Sequence, residues 1–204
     1  MTKRVLIFLI LSIIPFSLFS QTWYLKEKGN KFGYIDSLGI VKIPFIYRFA
    51  YTHEFTESIA FVVVTDSGKG KIKAINRNNK ELFTVFNFDN GPDYVEEGLF
   101  RIVDDSTGCI GFADMNGKIV IPTQFFFVRP LSEGFAAFNS GGKFEMDYEY
   151  TAIVGGKWGY IDKTGKEIFP AIFDKAYPFD EGEAKVQIGE YVFYITTAIE
   201  NKKE

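Results

Sequence analysis

The chain has 204 residues, room for one domain or one array of repeats, and a formal charge of −3 at neutral pH. That acidic balance gives no support to a nucleic-acid partner, and a single cysteine, Cys109, rules out an internal disulfide and reads as a small buried hydrophobe. Hydrophobic residues at 47% with 23 Phe argue against disorder and favour aromatic, strand-rich packing over a helical bundle of Leu and Ala.

At the start of the chain, Lys3 and Arg4 precede the apolar run from Val5 to Ser20, and polarity begins at Gln21. Residues 1–20 therefore read as a secretory signal peptide, cut after Ser20. The run contains Pro15 and is shorter than the roughly 20 residues that span a bilayer, so an uncleaved anchor is the competing reading. No Cys follows the run, which disfavours a lipoprotein. The expectation is an exported protein, periplasmic or extracellular. Setting aside Lys3 and Arg4 leaves 21 basic against 26 acidic residues.

From residue 29 onward the chain repeats itself. "KFGYIDSLGIVKIP" (Lys31–Pro44) aligns without a gap on "CIGFADMNGKIVIP" (Cys109–Pro122) and "KWGYIDKTGKEIFP" (Lys157–Pro170). "KIKAINRNNKELFT" (Lys71–Thr84) has the same hydrophobic order with its Gly and Pro replaced, and reads as a decayed copy. Each phrase is followed by an acidic turn carrying Glu57, Glu97, Glu133 or Glu181, and then by a short apolar run. The repeats span about 29–64, 69–104, 107–139 and 155–189, with 140–154 as an insertion and 190–199 as a partial closing strand.

The residues within the phrase explain a β-hairpin. Trp158, Tyr160 and Ile161 are good strand formers, and a second extended run starts at Lys166. Between them Asp162 and Gly165 hold the first and fourth places of a type I turn, as do Asp36 and Gly39, Asp114 and Gly117, and the less ideal Asn76 and Asn79. Pro44, Pro122 and Pro170 are expected to end the second strand, since proline has no N–H for a ladder. Gly33, Gly111 and Gly159 lie inside strands and are expected to admit a neighbouring backbone or an aromatic ring. Each repeat is thus a short antiparallel meander, buried by stacking on its neighbours.

The set K-x-G-Y-I-D-x-x-G, then I-x-P or I-F-P, then a Glu-Gly turn resembles the WG-repeat family, named for the pair that stands here as Trp158-Gly159. The resemblance runs from about Gly29 to Ile195. Phe32 and Ile110 depart from it where Trp is usual, as does Lys73 in place of Gly. It implies a bacterial repeat module with no established catalytic activity. The expected fold is all-β, an array of about four antiparallel meanders forming an open, curved stack rather than a closed propeller.

The insertion alternates Phe144, Met146, Tyr148 and Tyr150 with Glu145, Asp147 and Glu149, so a longer hairpin is expected there, and because it breaks the repeat it is the first place to look for function. With His53 as the one histidine, a Ser or Cys hydrolase and a zinc site lack their residues. "TDSGKGK" lacks the spacing of a phosphate-binding loop and reads as a hairpin loop. Single aspartates in the turns fall short of a calcium site, and carboxylates present in every repeat read as turn formers. No catalytic residue, metal or cofactor is expected. Candidate binding residues are the aromatics Tyr47, Tyr51, Phe127, Tyr148, Tyr150 and Tyr177, against a competing role in packing between repeats. The expected function is a non-catalytic binding or scaffold module for an unknown protein or glycan. The alternatives are a carbohydrate-binding module and a weak glycan hydrolase using Glu145, Asp147 or Glu149.

Overall fold

The computed structural model describes residues 21–66, 69–147 and 150–197; the segment read as a signal peptide lies outside them. The described chain is all-β, with antiparallel strands in open sheets. Among the described residues no helix is long and apolar enough to cross a membrane.

Four three-stranded meanders follow one another. They are Trp23–Lys28, Lys31–Ile35 and Val41–Tyr47; Ile59–Asp66, Lys69–Asn76 and Glu81–Val85; Leu99–Val103, Ile110–Asp114 and Ile119–Phe125; and Phe135–Asn139, Trp158–Asp162 and Glu167–Phe173. Lys175–Asp180, Glu183–Ile188 and Tyr191–Thr196 close the array. Each meander straddles the boundary between sequence repeats, because the last strand of one repeat pairs with the first strand of the next, with the insertion intervening between Phe135–Asn139 and Trp158–Asp162. Trp23–Lys28 is an addition to the sequence reading, which starts the repeats near residue 29. It plays the part of a preceding repeat's last strand and pairs with Lys31–Ile35, but it has no Glu-Gly turn before it to mark it.

Neighbouring meanders share apolar cores, and the second and third are also joined edge to edge, where Glu81–Val85 pairs with Leu99–Val103. The two-residue period of a strand sends Ala60 and Val62 into one core with Tyr34, Ile43 and Phe55, while Ile59 and Phe61 enter the next core with Phe100 and Ile102. The same alternation puts Phe112, Phe138 and Ile161 in a third core and Ala137, Trp158, Tyr160 and Phe179 in a fourth. An interior sheet is therefore buried on both faces, as the uniformly buried run Leu99–Ile102 shows.

The four hairpin turns form as their residues dictate. Asp36 Oδ1 accepts from the Leu38 and Ile40 N–H groups at 2.9 Å each, and Gly39 takes the positive φ of +81° that follows a type I turn. Asn76, Asp114 and Asp162 make the same pair of bonds.

The prolines do not end their strands. Pro44, Pro122 and Pro170 lie inside Val41–Tyr47, Ile119–Phe125 and Glu167–Phe173. Phe32 pairs with Tyr47 and Tyr34 with Ile43, so three residues, Pro44 to Ile46, bulge opposite the single residue Gly33. The same count holds at Gly111 and Gly159. Inside such a bulge, on the exposed side, a missing N–H leaves no ladder bond unmade. The glycine is required by space: a Cβ on Gly33 would stand 2.7 Å from the Ile43 and Pro44 carbonyl oxygens, and one on Gly159 2.6 Å from the Phe169 oxygen. The decayed copy proves the link within one chain. Where Lys73 replaces Gly and Thr84 replaces Pro, the two residues pair directly and the wide bulge is gone. The Lys73 ammonium then reaches Thr84 Oγ1 and Asp105, both at 2.6 Å, and holds the Asp105 carboxyl down to about 2.

Gly111→Ala is expected to cost about 2–3 kcal/mol, since its methyl would meet backbone that cannot retreat. Gly98→Ala, at positive φ but facing open space, is expected to cost about 1 kcal/mol. Urea midpoints of the two variants check this, and equal losses would refute the steric account.

Candidate functional site

The insertion is a hairpin of Lys143–Asp147 and Tyr150–Val154, anchored at its root by Asn139. That fully buried side chain accepts from the Gly141 and Gly142 N–H groups and donates to the Gly155 carbonyl at 3.2 Å. Near the root Phe144 packs on Phe126, ring centres 4.9 Å apart, and on Phe127 at 6.2 Å. The hairpin is thereby pinned against the third repeat.

Between the hairpin and the fourth repeat runs a groove of about 370 Å³. Ile153 to Gly155 form one wall, Asp174 to Tyr177 the other, and Trp158 and Arg129 lie at its base. The Arg129 guanidinium sits 5.1 Å from the Trp158 ring centre, a cation–π contact. Its Nε is the buried side-chain nitrogen or oxygen without a hydrogen-bond partner among the described residues. Burial lowers the Arg129 pKa by penalising the charged form. Asp174 does not compensate this charge. Its carboxylate is held below the ordinary range by Lys157, at 2.5 Å, and by the Gly189 N–H, at 2.7 Å.

A fully buried arginine lies behind this partly buried one. Arg101, on the third meander, pairs with Asp93 through Nε at 2.9 Å and Nη2 at 2.5 Å, both side chains almost fully buried. Its guanidinium lies 4.2 Å from the Phe86 ring centre and 6.0 Å from that of Phe127, and Nη1 donates to the Val128 carbonyl. Phe127 and Val128 lead directly into Arg129, whose N–H bonds to the Ala137 carbonyl.

The recurrent turn glutamates act between repeats. Glu97 accepts the Gly134 N–H of the next Glu-Gly turn and pairs with Lys163 at 2.6 Å, and Glu133 accepts the Gly182 N–H of the turn after that. These carboxylates are structural staples.

The WG containing repeat model matches residues 32–66, 110–144 and 158–191, just over half of the chain. The chain belongs to the WG containing repeat family. No curated protein and no solved structure matches it. The WG-repeat matches fall on the three units that carry both the glycine and the opposed proline bulge, and leave out the one that has lost both.

Of the candidate residues on this WG-repeat chain, Tyr177 borders the groove and is 44% exposed, its ring beneath the Lys185 ammonium at 5.6 Å. Phe127 stands behind the groove, edge-on to Trp158. Tyr150 belongs to the strand that forms one wall, and Tyr148 lies outside the described residues. Tyr47 is buried between the first two meanders, its hydroxyl donating to Asn79 at 2.6 Å, and half-buried Tyr51 donates to the Asn90 carbonyl. Burial pushes the Tyr160 hydroxyl up to about 12 while it donates to the Tyr177 carbonyl. Cys109 is half-buried rather than buried, since it opens a strand beside an exposed turn. A wider hollow of about 420 Å³ runs along Gln124 to Phe126 and Phe138 to Ser140, but Asn139 there is committed to the hairpin root. Among the described residues no cluster of His, Cys, Asp or Glu could hold a metal.

Sequence reasoning missed Arg129, Arg101 and Asp93. The available signal was a charged residue in the apolar run "LFRIV"; nothing in the spacing marks Asp93 as its partner. Asp93→Asn leaves the Arg101 charge buried without its counter-ion and is expected to cost about 3–5 kcal/mol by urea denaturation; a loss under about 1 kcal/mol would contradict a buried pair.

Acid should weaken the staples. Lys163 and the Gly134 N–H hold the Glu97 carboxyl below its ordinary value, as Lys73 does for Asp105. A carboxylate with a lowered folded pKa contributes stability above its unfolded pKa and loses it as pH falls through the folded one. The urea midpoint is expected to hold from pH 7 to about 5 and fall below that, less steeply in a Glu97→Gln, Asp105→Asn double variant.

Proposed function

We propose that this WG-repeat protein is a non-catalytic recognition module, working outside the cytoplasm, whose binding site is the groove between the insertion hairpin and the fourth repeat. The observation that carries this reading is the groove itself. It lies where the repeat is interrupted, it is walled by strands pinned in place, and its base holds an arginine whose buried nitrogen the chain leaves unpartnered. A stack of rigid sheets is a sound platform for such a site, because positioning does not depend on mobile loops. Export is supported by the pattern of residues 1–20.

A hydrolase built on the insertion carboxylates finds less support. Glu145 is ion-paired to Lys143, and Asp174, the carboxylate among the lining residues described for the groove, is tied to Lys157. General acid catalysis wants a carboxyl with a raised pKa facing a second carboxylate.

The test is a screen of the purified protein against a glycan panel and a display library of short random peptides. Recovered ligands are then measured against Val154→Trp, which fills the groove at a half-exposed position, and Ile40→Trp, on a distant turn. Ligands are expected to lose about tenfold or more in affinity for the first variant and nothing for the second. Ligands indifferent to Val154→Trp would sink the groove as the site.

A further inference from the structure

We propose that the groove takes an acidic peptide segment in extended conformation, with a carboxylate of the peptide on the Arg129 guanidinium. This rests on the recognition reading above and adds the chemistry of the ligand. Arg129 lines the groove and offers the planar fork that suits a carboxylate, while its enclosed Nε has no acceptor within the chain. Elsewhere the chain completes such groups. Arg101, buried among the rings of Phe86, Phe88 and Phe127, has Asp93 as a bidentate partner, and Arg77 spends its donors on the carbonyls of Gln21, Phe55, Thr56 and Glu57. Exposed Arg48 faces solvent, whereas Arg129 is partly enclosed and left without a carboxylate at the base of a groove.

Charge complementarity names the ligand's sign. Asp174 is neutralised by Lys157, so Arg129 and the exposed Lys175 stand as positive charges with no carboxylate partner among the described residues. In a chain of negative overall charge this is a local reversal of sign, and it favours an anion here. Shape favours a peptide over a sugar. The Trp158 ring is 5% exposed and faces Arg129, so it offers no open face for a pyranose. The two walls, Tyr150–Val154 and Lys175–Asp180, are each the outermost strand of their sheet, and an edge strand pairs with an added extended chain.

The experiment repeats the peptide selection on the protein and on Arg129→Gln and Arg129→Lys, with thermal melts and the tryptophan circular dichroism of each variant as the check on folding. Either substitution alters the cation–π contact with Trp158 but breaks no side-chain hydrogen bond of the described residues, so both variants are expected to keep the parent's fold and to melt at most about 4 °C below it. The selected peptides are expected to share an Asp or Glu. Arg129→Gln is expected to weaken them about 10-fold to 100-fold and Arg129→Lys to restore part of the loss. Peptides that bind in the groove, by their sensitivity to Val154→Trp, yet carry no shared carboxylate or ignore Arg129→Gln would overturn the carboxylate while leaving the groove a recognition site. Groove-dependent binding by acidic glycans alone would overturn the peptide. No ligand sensitive to Val154→Trp would remove the recognition reading and this inference with it.

Discussion

The structure depends on one close approach, the passage of a bulged strand over a glycine that has no Cβ. At Gly33, Gly111 and Gly159 three residues of the outer strand oppose one of the inner, and the detour returns Tyr47, Phe125 and Phe173 to the core opposite Phe32, Ile110 and Trp158. Each return delivers a large aromatic to the space between two sheets, and full burial of such a side chain contributes about 1.5–3 kcal/mol. The glycine and the proline are thus two halves of one device. The second repeat, which has lost both, still stacks because its strands keep the alternation that feeds Ile75 to one neighbour and Ile72 and Ala74 to the other.

Polar groups then fix how the sheets sit. The turn aspartates close each hairpin, while the glutamates of the Glu-Gly turns reach forward to the next turn, so that the third, fourth and closing units are linked edge to edge. The Asp93–Arg101 pair is deeper. It holds Phe127 and Val128 from behind, and through them it places Arg129. Most of the conspicuous charges of the chain are consumed in this way by architecture, which is why Arg129, partly enclosed and without a carboxylate partner among the described residues, carries so much of the functional argument.

An array of this kind separates its two tasks. Repetition supplies a rigid stack, and the interruption at residues 140–154 supplies a feature that no other repeat has. The insertion hairpin docks through Phe144 and Asn139, and what it leaves between itself and the last sheet is a groove rather than a packed seam. The aromatics of the joints divide accordingly: Tyr47 and Phe127 fill space between sheets, while Tyr177 borders the groove.

The all-β class, the four hairpins, the Asp-to-Gly turns and the inserted hairpin were legible in the chain, because each is set by residues within a few positions of one another: strand formers, a side chain that bonds two residues ahead, a glycine that tolerates positive φ. The bulge over the glycine was half legible. The need for space at Gly33 could be read, but proline alone looked like a strand end, since whether a missing N–H matters depends on what stands opposite. Trp23–Lys28 was hidden because it lacks its turn, and Asp93 and Arg129 because their meaning comes from Arg101, Trp158 and the insertion, which no spacing connects to them. Local sequence determined the hairpin of each repeat phrase and of the insertion; only the tertiary stack decided which charges were buried together and which were left without a partner, because partnership across sheets is a matter of distance in space and not of distance along the chain.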